Sequence, residues 1–146
     1  MITGAGAGYF PWAPGTAGTL VAIPLSLGLN RIAWASFYLA LLTLIAFVAF
    51  ATWLCQIGEA IFAGKDCPKI VIDEIAGFLV ANFDSPAGLK PVLLAFLLFR
   101  FFDIIKPFPA GRAERISGGV GVILDDLIAG FYAFFVLRLF LSWGVV

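Results

Sequence analysis

The sequence predicts an all-α membrane protein: a polytopic helix bundle of about five helices, some of them short or partly re-entrant. Two bulk properties favour this class. Of the 146 residues, 62% are hydrophobic and 12% are charged, whereas a soluble domain of this size needs a more polar surface. The mean hydropathy of +1.07 makes the bilayer the natural solvent for the chain. The length indicates a single domain covering residues 1–146.

A third observation is that the apolar residues gather into five segments, each of which we interpret as a helix. The segment 32–58 carries no charge and is long enough to cross the hydrocarbon core of a bilayer. The last segment, 120–146, is also long, although two aspartates lie near its start. These two segments are therefore the clearest candidates for membrane-spanning helices.

The other three segments, 17–30, 70–83 and 89–105, are shorter. A run of about 14 residues rises only about 20 Å as a helix, which is less than the thickness of the hydrocarbon core. We therefore expect the short helices to be buried among their neighbours or to lie near one membrane face. Pro107 and Pro109 end the helix at 89–105, because a residue before proline disfavours the α conformation.

The loop charges indicate an orientation. If every segment crosses the membrane, the N-terminus and the loops at 59–69 and 106–119 share one side, with a connection at Asn30 and Arg31 on the other. The cations of the first side are Lys65, Lys69, Lys106, Arg112 and Arg115, and those of the second are Arg31, Lys90 and Arg138. Cytoplasmic loops carry the excess of cations, so the first side is predicted to face the cytoplasm.

Acidic residues converge on that same side. Adjacent acids occur inside the apolar stretch KIVIDEIAGFLVANF, where Asp73 and Glu74 are costly in a membrane and favour a functional role over simple pairing with Lys69. The hexapeptide DEIAGF at 73–78 recurs as DLIAGF at 126–131, either by chance or as a local repeat. In both, a glycine follows the acid by four residues on the same helix face, where a small residue lets a second helix approach closely.

The stretch FRFFDIIKPFP places Arg100, Asp103 and Lys106 on one helix face. Two interpretations stay open: an ion pair between Asp103 and one of the cations, or a metal ligand at Asp103 with the cations facing an anionic substrate. In LDDLIAG the vicinal Asp125 and Asp126 point about 100° apart, so that they serve different partners. The chain has no histidine, and a cluster made of carboxylates suits Mg²⁺ better than zinc.

Two glycine-containing segments precede helices and are candidate anion sites. In PWAPGTAGTL, Thr16 is a candidate N-cap, and the backbone N–H groups of residues 17–19 would form an anion seat at the helix start. SGGVG at 117–121 is a similar but weaker signal. Either segment alone indicates an ordinary capped helix; the predicted topology, which puts the first of them beside the acids, favours the anion role.

In this order, PWAPGTAGTL, VIDEIAGFLVA, FRFFDIIKPFP and LDDLIAG resemble the motifs of bacterial phosphatidylglycerophosphatase A, over about residues 8–139. The resemblance implies a magnesium-dependent enzyme of phospholipid biosynthesis that removes the terminal phosphate of phosphatidylglycerophosphate to give phosphatidylglycerol. It also implies a bacterial inner membrane location. Thr16 and Thr19 fall on hydroxyl positions of the family motif PGT-x-G-[ST]. The other motif positions matched are Asp73, Glu74, Arg100, Asp103, Lys106, Asp125 and Asp126.

The sequence therefore predicts a multi-pass hydrolase acting on a lipid phosphate monoester at the cytoplasmic leaflet. The predicted Mg²⁺ ligands and catalytic groups are Asp73, Glu74, Asp103, Asp125 and Asp126, and the predicted phosphate-binding residues are Thr16, Thr19, Arg100, Lys106 and Arg112. One alternative is a small cation or proton transporter, which needs acids at several membrane depths. Another is a structural subunit with interfacial ion pairs. The net charge of zero gives no indication of nucleic-acid binding, and the oligomeric state stays open.

Overall fold

The computed structural model describes residues 14–62, 70–113, 116 and 118–144. Every regular element in these ranges is a helix, which confirms the all-α bundle predicted from the sequence. Within the described residues, one helix is added to the five predicted: a short helical turn, α5, inside the loop after residue 106. The helices are α1 (Pro14–Ala35), α2 (Phe37–Phe62), α3 (Ile72–Ala81), α4 (Leu89–Ile105), α5 (Ala110–Ala113) and α6 (Gly119–Ser142). The loop cations Lys65, Lys69 and Arg115 lie outside the described residues.

The first helix is longer than its apolar run. A connection was expected at Asn30 and Arg31, but α1 continues through both residues to Ala35, so that prediction is wrong. The break falls instead at Ser36, whose N–H donates to the Ile32 carbonyl at 2.8 Å and whose hydroxyl accepts from the Leu39 N–H at 3.4 Å. Polar side chains do not by themselves end a helix, and here Asn30 is buried while Arg31 is exposed.

Two helices have the dimensions of membrane spans. Within the described residues, Phe37–Gly58 of α2 and Gly119–Ser142 of α6 are long and apolar enough to cross a bilayer. The outer face of α2 carries large exposed apolar side chains, including Leu42 at 67% and Trp53 at 58% exposure. Contiguous apolar surface of this kind is unfavourable in water and suits contact with lipid.

The centre of the bundle is the ten-residue helix α3, which packs against α1, α2, α4 and α6. Apart from the two acids in its first turn, every residue of α3 is buried. Its core neighbours include Phe99 of α4 and Leu137 of α6, both almost fully buried. A ten-residue helix rises about 15 Å, half of a hydrocarbon core of about 30 Å, so α3 does not span. The expectation of short, enclosed helices is met here, and the premise that every predicted segment crosses the membrane is wrong for α3.

Polar side chains of α1 and α6 bind the backbone just after the C-terminal end of α3. Arg138 of α6 donates to the carbonyls of Phe83 and Asp84, at 2.9 and 2.7 Å. The Asn30 amide donates to the Asn82 carbonyl at 2.9 Å and accepts from the Asp84 N–H at 2.8 Å. The carbonyls of residues 82–84 lie just beyond the end of α3 and have no intrahelical partner, and leaving such groups bare away from water is costly. These side chains therefore allow α3 to end inside the bundle.

Candidate active site

The helices α3 and α6 meet through glycines. A Cβ added to Gly77 would lie 2.6 Å from the Asp126 carbonyl oxygen and 2.6 Å from the Phe99 ring. A Cβ added to Gly130 would meet the Gly77 carbonyl and lie 3.2 Å from Cβ of Val80. The two similar hexapeptides are therefore in contact with each other. The sequence indicated a close helix neighbour for each glycine, but it did not indicate that the two segments are partners.

This contact brings three carboxylates together. Helical side chains lean towards the N-terminus of their helix, so Asp126 points back along α6 to the level where Asp73 and Glu74 begin α3. One carboxylate oxygen from each of these three acids lies within 4.8 Å of the others. Asp126 is buried at 5% exposure, and the two α3 acids are half-buried. Asp73 also accepts the Glu74 N–H at 3.1 Å.

The other two predicted acids lie in ion pairs beside this group. Asp103 pairs with Arg100 on its own helix at 2.7 Å, in agreement with the ion-pair interpretation of the α4 stripe. Asp125 of α6 accepts from Lys106 Nζ at 2.8 Å. Neither Asp103 nor Asp125 belongs to the three-acid group found among the described residues. Their role as metal ligands stays a prediction.

The first turn of α1 covers Glu74. A Cβ on Gly15 would lie 3.1 Å from Nη1 of Arg100 and closer still to the Glu74 carboxylate, so a larger residue would push the ends of these two side chains aside. The positive end of the α1 dipole therefore faces a carboxylate. Sequence reasoning missed this contact, which no local pattern reveals.

The two threonines of the PGT segment take different positions from those expected. Because α1 begins at Pro14, Thr16 lies inside the first turn and does not cap the helix, so the predicted N-cap is wrong. For the same reason, the free N–H groups among the described residues of that turn belong to Gly15 and Thr16, not to residues 17–19. Thr19 is buried, and its hydroxyl donates to the Gly15 carbonyl at 2.8 Å. Its described contact therefore braces the turn that covers Glu74.

Two further candidates, Arg112 and the SGGVG segment, have described contacts with other parts of the structure and not with the acids. Arg112 is exposed on α5, where its guanidinium stacks 4.8 Å from the centre of the Phe108 ring. At the SGGVG segment, the Gly119 N–H donates to Oε1 of Gln56 at 2.8 Å, and a Cβ on Gly119 would lie 2.6 Å from the Thr52 carbonyl. This helix start is therefore packed against α2, which is an ordinary structural use of its glycines.

Arg100 offsets part of the negative charge of the three-acid group through Glu74, but it is also paired with Asp103. Burial raises the pKa of Glu74 to about 7. Burial, together with the neighbouring charge of Glu74, raises the pKa of Asp73 well above its usual range. Within the described residues, Oε2 of Glu74 and Oδ1 of Asp125 are buried acceptors without a hydrogen-bond partner. A divalent cation would supply the missing charge, and a donor set made of carboxylate oxygens fits Mg²⁺.

Comparison with known proteins gives this site a context. The family described as phosphatidylglycerophosphatase A matches residues 1–141 of the chain. The chain belongs to the phosphatidylglycerophosphatase A family. This result confirms the family identified from the four motifs, and with it the prediction of an enzyme of the phosphatase class. No solved structure matches the chain.

Three curated relatives cover most of the chain. "Phosphatidylglycerophosphatase A" of Haemophilus influenzae is 34% identical over 145 residues, covering 98% of this chain and 88% of the relative. The Escherichia coli protein of the same name is 30% identical over 132 residues, covering 89% and 75%. A Bacteroides thetaiotaomicron protein named "Putative phosphatidylinositol-3-phosphatase" is 37% identical over 144 residues, covering 92% and 87%. The names share the removal of a phosphate from a phospholipid head group.

Proposed function

We propose that this protein hydrolyses the terminal phosphate monoester of phosphatidylglycerophosphate to phosphatidylglycerol and phosphate, with Mg²⁺ held by Asp73, Glu74 and Asp126. The observation that carries the proposal is the convergence of these three carboxylates, within 4.8 Å, in a chain of the phosphatidylglycerophosphatase A family. Acids inside a membrane bundle are expensive and mark functional sites by default. The donor set and its unmet charge support a hard divalent cation.

The reaction consumes one water for each phosphate released. The water oxygen attacks phosphorus, the bond from phosphorus to the glycerol oxygen breaks, and the leaving alkoxide takes up a proton. Bound Mg²⁺ supplies electrostatic stabilisation of the phosphoryl oxygens and lowers the pKa of a water. Lys106 and Arg100 bind the phosphate oxygens as charge-assisted donors. Oδ2 of Asp125 accepts the hydrogen bond from Lys106 Nζ. Its buried Oδ1 is suited to accept the proton of the attacking water.

The proposal includes the location of the protein and the side of the membrane that its site faces. It is a multi-pass protein of the bacterial inner membrane, and its site faces the cytoplasm. Asp126 follows Gly119 by seven residues, which puts it roughly 10 Å along α6 from the helix start. Lipid-facing surface on α2 and the two candidate spans support the membrane location. A phosphate at this depth is reachable from the head-group region, while the acyl chains of the substrate stay in the bilayer.

Phosphate release from purified protein tests the proposal. The substrates are phosphatidylglycerophosphate, phosphatidylinositol 3-phosphate and phosphatidic acid, each with Mg²⁺ and with EDTA; the second is included because of the name of the Bacteroides relative. We expect release from phosphatidylglycerophosphate that depends on Mg²⁺. Release from phosphatidylinositol 3-phosphate alone would contradict the substrate, and equal release in EDTA would contradict the metal.

A matched pair of variants tests the site. Asp126→Asn keeps the size of a buried ligand and removes its charge, so we expect a loss of at least about 100-fold in turnover. Asp84→Asn makes the same change at an aspartate that pairs with Arg138 just after the end of α3, and it should retain activity. Asn also tolerates the left-handed backbone of Asp84, where φ is 51°. Equal activity in the two variants would contradict the assignment.

The transporter alternative makes an opposite prediction. A cation path needs acids at several depths, whereas the described three-acid group lies near one end of the bundle and Asp84 at the other end is paired with Arg138. Ion flux through proteoliposomes without any hydrolysis of lipid phosphate would favour transport over the proposed reaction.

A further inference from the structure

The turn after α4 holds Lys106 in a conformation that needs support. Lys106 ends α4 with φ 46° and ψ 62°, a left-handed conformation that is uncommon for a residue with a Cβ. Its backbone N–H remains on the helix, donating to the Phe102 carbonyl at 2.8 Å. Pro107 and Pro109 follow and have no N–H to donate. The α5 turn gives local support, since the Ala110 N–H donates to the Pro107 carbonyl at 2.8 Å, and contacts from α6 add to it.

Tyr132 of α6 provides such contacts. Its hydroxyl donates to the Phe108 carbonyl at 2.8 Å. Its ring stacks on Phe102, with centroids 5.4 Å apart and an interplanar angle of 29°. Tyr132 follows Asp125 by seven residues, which is about two helical turns, so the two side chains share a face of α6. That face contacts the turn twice: Asp125 binds Lys106 Nζ, and Tyr132 binds the carbonyl two residues later.

We propose that Tyr132 is a positioning residue, whose hydrogen bond to Phe108 fixes Lys106 where its ammonium group meets the substrate phosphate. The inference rests on the proposed function, because it takes Lys106 to be a phosphate-binding group. Tyr132 contacts the turn and not the three-acid group in its described interactions. Loss of its hydroxyl should therefore weaken substrate binding and leave the metal site unchanged.

The variant Tyr132→Phe in the full-length protein tests this role, because it removes the hydroxyl and keeps the stacked ring. We expect KM to rise about fivefold, the effect of one net hydrogen bond. We expect kcat within about twofold and an unchanged Mg²⁺ requirement. The matched control is Tyr38→Phe, a tyrosine of α2 that is 82% exposed, which should behave as wild type. An unchanged KM in Tyr132→Phe would overturn the inference.

A double-mutant cycle separates positioning from a general structural effect. In a Lys106→Met background, Tyr132→Phe should cause no further rise in KM, because the group that it positions is gone. A further fivefold rise in that background would show that the hydroxyl acts independently of Lys106, and it would overturn the inference.

A second readout does not depend on hydrolysis. Acylation of lysine by a water-soluble succinimidyl ester, followed by mass spectrometry, reports how well Lys106 is held in its ion pair. We expect severalfold faster acylation of Lys106 in Tyr132→Phe, with the exposed Lys90 of α4 unchanged as the internal reference. If acylation changes while wild type releases no lipid phosphate, the proposed function fails and the contact stands. If wild type hydrolyses the lipid and neither readout changes, the positioning role fails.

Discussion

Replacing Gly77 with alanine tests whether the glycine contact between α3 and α6 holds the carboxylates in place. The added Cβ would lie 2.6 Å from the Asp126 carbonyl oxygen and 2.6 Å from the Phe99 ring, whereas ordinary contact begins at 3.4 Å. One obstacle is the backbone of the residue that carries a proposed ligand. The two helices must therefore separate by about 0.8 Å, which moves Asp73 and Glu74 away from Asp126.

A control glycine sets the scale of the effect. Gly28 also lies inside a helix, and a Cβ at that position would meet nothing within 4 Å. Alanine at Gly28 should therefore stabilise the protein by up to about 1 kcal/mol through helix propensity. At Gly77 the same gain is opposed by overpacking of about 1–3 kcal/mol. A displacement approaching 1 Å at a catalytic site can cost about 100-fold in rate, so we expect a 10- to 100-fold loss in Gly77→Ala.

The two variants are compared by thermal unfolding and by phosphate release in the same detergent micelles. Gly77→Ala should unfold at a lower temperature, turn over more slowly and need more Mg²⁺ for half-maximal activity. Gly28→Ala should match or exceed wild type in stability and keep full activity. If Gly77→Ala keeps the wild-type rate and the wild-type Mg²⁺ requirement, then close packing at this glycine does not position the acids.

Three further predictions concern other parts of the molecule. Asn30→Leu removes the amide that binds the backbone just after α3, so buried backbone groups lose their partners. We expect the free energy of unfolding to fall by about 2–4 kcal/mol, measured by thermal unfolding. The control Arg31→Leu changes an exposed side chain and should have little effect. An unchanged Tm in Asn30→Leu would contradict the role of this amide. Lys106→Met should raise KM more than tenfold in steady-state assays, because a charge-assisted phosphate contact is lost, and an unchanged KM would remove it from the site. Mg²⁺ added after chelation should raise Tm as well as restore turnover, because it binds the folded protein, and a Tm insensitive to Mg²⁺ would contradict a resident ion.

The helices were largely predictable because their signal is local. Long apolar runs give α2 and α6, and the prolines after residue 105 end α4 where expected. The end of α1 was not predictable from the same signal. Asn30 resembles a connection residue, but its amide partners lie 52 to 55 positions further along the chain. Only the tertiary structure shows that this polar residue is buried inside a continuing helix.

The candidate site was predictable in its residue types and less so in its pairings. Spacing correctly indicated that acids from separate helices face one end of the bundle, and that glycines mark close helix contacts. Sequence spacing left open whether Arg100 or Lys106 pairs with Asp103, and it gave no partner for Lys106 outside its own segment. The left-handed backbone at Lys106 instead accompanies an ion pair with Asp125 on α6. A local helical pattern cannot anticipate a partner that depends on the conformation of the turn.

The binding of Mn²⁺, a paramagnetic substitute for Mg²⁺, tests the central claim most directly. Electron paramagnetic resonance of the purified protein should show a bound ion that Mg²⁺ displaces, and Asp126→Asn should weaken that binding strongly while Asp84→Asn leaves it unchanged. Equal Mn²⁺ binding by wild type and Asp126→Asn would contradict a metal site formed by Asp73, Glu74 and Asp126.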